Sequence, residues 1–308
     1  MKGPLFYAKI LLFGEYGIIK DSKGLTIPYN TYRGALKKST ESTPDTRYSN
    51  QQLQEFHQYL HKLETGKEWF YLDKLKADID EGMYFDSSIP QGYGVGSSGA
   101  LVAAVYDQYA KEKITVLENL TRDKLLQLKR IFSLMESFFH GKSSGLDPLN
   151  SYLSIPILIR SSNDLEATGI PAQRAGKGAV FLLDSETAGE TAPMVSIFMN
   201  KMKQEGFRKM LHEDFSTYTD ACIDDFLHGN VTSLFRNVKQ LSSLVLDNFK
   251  PMIPNRFHAI WQQGIDTNDY YLKLCGSGGG GYMLGFTEDF DKARARLKNY
   301  KLELVYRF

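Results

Sequence analysis

Cysteine is nearly missing from this 308-residue chain: there are two, Cys222 and Cys275. They lie far apart, without the even, close spacing of a disulfide scaffold or a zinc site. A surplus of one charge is missing too. The 37 Lys and Arg side chains stand against 36 Asp and Glu, a formal net charge of +1. No global field draws the chain onto nucleic acid or an anionic membrane, so any polyanion must be held locally. The densest basic run, KARARLK at 292–298, fits one solvated face of a short helix and receives no role. Long hydrophobic runs are also lacking. The opening MKGPLFYAKILLFGEYG is apolar, but Lys9 and Glu15 interrupt it and no small-residue cleavage site follows. The expectation is a cytoplasmic protein with neither a nucleic-acid nor a membrane partner. Internal repeats and a Walker A sequence are absent. What is present, 42% hydrophobic and 24% charged residues, is a globular composition, and the length suits two modest domains.

Residues 5–13 (LFYAKILLF), bounded by Gly14 and Gly17, read as a buried strand running into a turn. LTIPYNTYRGAL reads as a second β-rich stretch, STESTPDTRYSNQQ as an exposed loop, and 50–64 as a helix. Residues 97–110 read as a helix whose first turn holds Ser97 and Ser98. Leu125, Leu128, Phe132, Met135 and Phe139 recur at helical spacing between a Thr121 N-cap and a Gly141 stop. Residues 152–160 read as a strand, and the polar stretch RSSNDLEATGIPAQRAGKGA as the boundary between domains 1–170 and 171–308. Beyond it come a strand at VFLLD and a helix-rich region over 195–249. A tail of strand, glycine loop, strand, helix and strand ends the chain, the second half of a split βαββαβ sandwich.

The segment IPQGYGVGSSGAL places Gly92, Gly94 and Gly96 before the helix that opens at Ser97 and Ser98. Glycines let the backbone approach phosphate oxygens, the free amides of a first helical turn point at them, and the helix dipole favours negative charge. A serine hydroxyl can add a magnesium ligand. Gly94, Gly96 and Gly99 also satisfy G-x-G-x-x-G, but FDSSIPQGY precedes them where a dinucleotide fingerprint needs an apolar strand. The competing reading is a flexible loop before an ordinary helix.

In MESFFHGKSSGLDP, Glu136 and His140 share a helix face and Asp147 follows in a Gly-Ser-rich turn. A carboxylate among apolar residues at a helix C-terminus is costly unless compensated, and a magnesium ion would compensate it. Two carboxylates can divide the work of phosphoryl transfer, one holding metal and one orienting or deprotonating an attacking hydroxyl. An exposed end-of-helix acid and an ordinary turn aspartate before Pro148 are the alternative.

CGSGGGG at 275–281 implies either close passage of another backbone or a ligand, or a mobile hairpin. Lys9, inside a strand, either lies at a sheet edge or reaches a carboxylate or phosphate. His57 and His61 have zinc-like spacing but no third ligand in EFHQYLHKLE, and read as a solvated face.

KILLFGEYGII, IPQGYGVGSSGAL and KLCGSGGGGYML together resemble, in order and spacing, the three motifs of the GHMP kinases. ESFFHGKSSGLD resembles the E-x-x-x-H-G-x-x-S-G-x-D stretch of mevalonate kinases at Glu136, His140, Gly141, Ser144, Gly145 and Asp147. The resemblance implies an α+β, two-domain architecture: an N-terminal ribosomal-protein-like α/β sandwich and a C-terminal ferredoxin-like sandwich. It implies ATP and Mg2+ as cofactors, with Gly92, Gly94, Val95, Gly96, Ser97, Ser98 and Gly99 on the ATP phosphates and Ser98 and Glu136 on the metal. Asp147 would be the base and Lys9 its partner. Glu15, Tyr16, His140, Ser144, Gly278 and Gly279 would face the substrate. The implied activity is phosphorylation of a small-molecule hydroxyl, that of mevalonate first, by a monomer or homodimer. The chain departs from mevalonate kinases at Tyr16, where a histidine is usual. Gly-Glu-Tyr and the G-S-S-G of 96–99 resemble phosphomevalonate kinases instead, which keeps phosphomevalonate, another acceptor, and a non-catalytic nucleotide- or metabolite-binding role as alternatives.

Overall fold

The computed structural model describes residues 4–20, 22–115 and 120–308. In chain order the strands are β1 (Phe6–Phe13), β2 (Gly24–Lys38), β3 (Met83–Ser87), β4 (Ile157–Ser161), β5 (Asp164–Ala167), β6 (Ala179–Asp184), β7 (Tyr271–Leu274), β8 (Tyr282–Thr287) and β9 (Leu302–Arg307). The helices α1 (Pro44–Lys62), α2 (Gly66–Trp69), α3 (Leu72–Asp80), α4 (Ser97–Tyr109), α5 (Arg122–His140) and α6 (Leu146–Leu153) precede β4. The helices α7 (Thr191–Lys201), α8 (Glu205–Met210), α9 (Ser216–His228), α10 (Val231–Asn248) and α11 (His258–Thr267) lie between β6 and β7, and α12 (Phe290–Arg296) between β8 and β9.

One sheet runs β1-β2-β4-β5, with β3 also on β2. The long β2 serves two partners, pairing antiparallel with β4 at Gly24 to Thr26 and with β3 from Gly34 to Lys38. The other runs β7-β8-β6-β9, antiparallel at every pairing. Its β6, helices, β7, β8, α12, β9 order is the βαββαβ sandwich expected of the tail. The whole is the two-domain α+β architecture expected above.

By backbone contacts the chain forms two compact units. The first comprises Met1–Lys9, Pro28–Pro90 and Gly96–Ile155, and the second Ile10–Ile27, Gln91–Val95 and Pro156–Phe308. In the first, α4 is apolar nearly all round and buried from Gly99 to Tyr106, with Leu128, Phe132 and Met135 of α5 also in the core. In the second, β6 is buried from Ala179 to Leu183, and Leu234, Val238, Leu241 and Val245 give α10 its apolar stripe.

Three local expectations change. The loop expected over 39–52 becomes helix from Pro44, because Thr43 is a true N-cap. Its side chain accepts from the Thr46 amide while the Thr46 hydroxyl accepts from the Thr43 amide, and Pro44 fills the first turn. The strand expected over 152–160 begins only at Ile157, since α6 continues to Leu153 and ends at a left-handed Ser154. The basic run at 292–298 is only partly a solvated face: Lys292 and Arg296 reach the buried Asp269 carboxylate at 2.5 and 2.7 Å. That pairing holds the Asp269 carboxyl below its ordinary range against the opposing cost of burial.

Candidate active site

In the first unit α5 has the expected caps: the Thr121 side chain accepts from the Lys124 amide, and Gly141 ends the helix at φ +72°. The chain then doubles back. Gly145 adopts φ +74°, and a side chain there would meet the Lys129 carbonyl oxygen at 2.2 Å, so glycine is needed to bring the loop onto α5. Asp147, expected in a turn, lies in the first turn of α6, where the helix dipole favours a carboxylate.

Six side chains gather there. Lys9, 5% exposed, places its Nζ 2.9 Å from Asp147 Oδ1. Its strand ends the sheet order, yet the side chain turns inward to a carboxylate, so edge position and pairing both hold. Ser98 Oγ in the first turn of α4 donates to Glu136 Oε1 at 3.1 Å and lies 3.0 Å from His140 Nε2. Ser143 Oγ makes a short hydrogen bond to Glu136 Oε2. Glu136 is 3% exposed, and burial, with the Asp147 charge nearby, pushes its carboxyl up to about 8 despite the two hydroxyl donors.

The sequence does not single out Ser143. The only signal was a second hydroxyl beside Ser144 in the loop, and nothing in the sequence says which of the two turns inward. Ser144 instead accepts from the Leu146 amide at 3.4 Å. Gly96, at φ +81°, is the left-handed residue before α4, and Ser97, Ser98 and Gly99 are its first turn, where amides lack partners within the helix.

A divalent cation fits this donor set. Glu136 is a buried carboxylate carrying a cost that a cation would remove, and Ser98 adds a neutral oxygen beside it. Magnesium commonly takes one or two carboxylates and completes its shell with water and substrate phosphate. Among the described residues no three His, Cys, Asp or Glu side chains form a cluster fit to hold a metal by themselves.

In the second unit Gly92 and Gly94 have positive φ, and Val95 is buried. A side chain on Gly94 would lie 1.9 Å from the Cys275 carbonyl oxygen, and one on Gly281 2.6 Å from Tyr93 Cα. The glycine run is therefore crowded by other backbone, the first of the two readings above, and Gly278 and Gly279 lie within it against Met252 and Met194. Glu15 is buried and reaches Lys273 Nζ at 2.7 Å. Burial raises its carboxyl above the ordinary range, and Lys273 opposes that shift. Tyr16, at φ +60°, donates its hydroxyl to the Ser277 carbonyl at 2.6 Å and stacks on Phe198. Lys273 carries no signal in the sequence, because a lone lysine in YYLKLC reads as a strand residue of any kind.

Residues 59–154 match the family described as GHMP kinases N terminal domain. No curated protein matches the chain by sequence. Among solved structures, mevalonate kinase of L. major in complex with R-mevalonate is similar at 18% identity and a TM-score of 0.64, over 97% of this chain and 91% of that one. Phosphomevalonate kinase of Streptococcus pneumoniae with phosphomevalonate and AMPPNP is similar at 14% identity and 0.64, over 99% of each. Galactokinase of Lactococcus lactis with galactose is similar at 12% identity and 0.62, over 98% of this chain and 92% of that one. These likenesses show a fold similar to that of mevalonate kinase, phosphomevalonate kinase and galactokinase, with the family match confined to residues 59–154. Among the described residues no helix is long and apolar enough to cross a membrane.

Proposed function

We propose that the protein is a kinase that transfers the γ-phosphoryl group of ATP to the hydroxyl of a small metabolite, with mevalonate the first-choice acceptor. The Lys9–Asp147 pair beside the Ser98–Glu136 pair carries this reading. Phosphoryl transfer needs positioning and charge stabilisation rather than covalent help, and these two pairs supply both. In the proposed reaction the acceptor oxygen attacks the γ-phosphorus, its proton passes to Asp147 Oδ, and the β–γ bond breaks to release ADP. Lys9, 2.9 Å from Asp147 Oδ1, keeps that carboxylate oriented. The glycines and amides of 92–99 would receive the phosphates, and Ser98 and Glu136 would hold Mg2+, which when bound neutralises charge on the phosphate oxygens.

Mevalonate is favoured by the Glu136 to Asp147 stretch and by the fold's likeness to a mevalonate complex. Phosphomevalonate is the second reading, on Tyr16, the Gly96 to Gly99 run and the likeness to a phosphomevalonate complex. ADP release from ATP and magnesium is measured with mevalonate, phosphomevalonate, homoserine and galactose. Turnover of mevalonate alone supports the first reading and turnover of phosphomevalonate alone the second. Silence with all four, together with tight ATP binding, would move the assignment to another acceptor or to a non-catalytic sensor.

A further inference from the structure

We infer that Gly99 is a positioning residue for Asp147: its missing side chain sets how closely α4 approaches the start of α6. This rests on the reading of Asp147 as the base. A Cβ on Gly99 would lie 2.7 Å from both Asp147 C and Pro148 N, and 3.0 Å from Asp147 Cβ. The first two are backbone atoms, which cannot turn aside as a side chain can. Both helices are buried around this contact. Ala100, Ala103 and Ala104 of α4 are at most 1% exposed, and in α6 Asn150 and Ser151 are buried with Pro148 and Leu149. Small residues permit short interhelical distances.

Gly99 itself has no left-handed φ that would demand glycine, so proximity, not backbone conformation, selects it. Among the motif glycines it faces neither open space nor a loop but the peptide that carries the base. An added methyl group must push that peptide away, and the carboxylate moves with it relative to Lys9 on β1. A displacement approaching 1 Å in catalytic geometry can cost on the order of 10²-fold. Pro148 disfavours helical backbone at its predecessor, yet Asp147 lies within α6, so packing against Gly99 rather than the proline holds that peptide in place.

The test is a double-mutant cycle with the full chain. Gly99→Ala is expected to fold and to lose at least about 10-fold in kcat, with the Mg-ATP Kd measured by calorimetry as a separate readout of the phosphate loop. In an Asp147→Asn background the same change should cost less than about 2-fold, since the group it displaces is already disabled. An equal loss in both backgrounds, a wild-type kcat, or a weakened Mg-ATP Kd at unchanged kcat would overturn the inference. If Gly99→Ala does not fold, Pro148→Ala decides: with the Gly99 contact intact its kcat should stay within about 2-fold of wild type, and a loss of about 10-fold or more would show that the proline places Asp147 and would overturn the inference. Wild-type turnover in Asp147→Asn alone would instead remove the base, a different failure read from a different variant.

Discussion

At the scale of single residues the ion pair of Lys9 and Asp147 makes two demands on one carboxylate. Asp147 balances a lysine that is 6% exposed at its side chain, while itself remaining 36% exposed and reachable. Asp147→Asn should therefore lower kcat at least 100-fold, the range positioned acid–base groups contribute being about 10²–10⁴. It should also cost about 2 kcal/mol of stability, less than the loss of a fully buried pair because the carboxylate is partly solvated. Steady-state kinetics and denaturant unfolding read the two effects separately, and wild-type turnover would defeat the assignment of the base.

Glu136 carries the opposite problem, a carboxyl buried beside a second carboxylate. Its folded-state carboxyl is raised from 4.5 to about 8, so without metal the folded protein holds that proton more tightly than the unfolded chain. The stability this contributes is fully present below about 4.5 and is lost as pH rises towards 8, with a slope of up to about 1.4 kcal/mol per pH unit. Glu136→Gln should flatten that part of the metal-free stability profile and raise the magnesium concentration needed for half-maximal activity while leaving the fold intact. An unchanged magnesium titration would make Glu136 structural. The sequence displayed Glu136, Asp147 and Ser98 as candidates because a carboxylate in an apolar helix end and serines behind glycines are locally anomalous. Ser143 and Lys273 were illegible because their partners are chosen by chain reversal and sheet assembly, which local pattern does not encode.

At the scale of elements, legibility followed the source of each element's stability. α5 and the tail strands declare themselves by period and punctuation, since the same apolar stripe that identifies them also buries them. α1 does not, because its first turn is polar and exposed and is held by the reciprocal bonds of Thr43 and Thr46 rather than by packing. A run of Ser, Thr, Pro and Asp reads equally as a turn, and only the spacing of the two threonines distinguishes a cap. Thr43→Ala should accordingly cost about 1 kcal/mol. Thermal unfolding should show a correspondingly lower melting temperature with activity retained, because α1 supplies none of the six side chains gathered around Glu136 and Asp147. No change in melting temperature would mean that the helix start is held by Pro44 alone.

At the scale of the whole molecule, the second unit has a buried ion pair at its centre instead of an all-apolar core. Glu15 and Lys273 are 3% and 1% exposed at their side chains, on the turn after β1 and on β7 respectively. Both Glu15 oxygens are enclosed without a fully formed hydrogen bond. Such a pair adds little net stability, because desolvation offsets attraction, but removing one partner strands the other. Lys273→Met should destabilise the protein by about 3 kcal/mol at neutral pH. Glu15 is already raised by burial and is lowered chiefly by Lys273, so losing the lysine must raise it further. The stranded carboxyl can then remain in the folded protein only by keeping its proton, and the variant should recover stability as the pH is lowered towards the ordinary carboxylate range. Adding Glu15→Gln to Lys273→Met removes the charge altogether and should restore part of the loss at pH 7 while erasing the pH dependence. Urea unfolding of the single and double variants at pH 5 and pH 8 decides it. A double variant no more stable than Lys273→Met would show that packing of the lysine stem, not its charge, holds the second unit together.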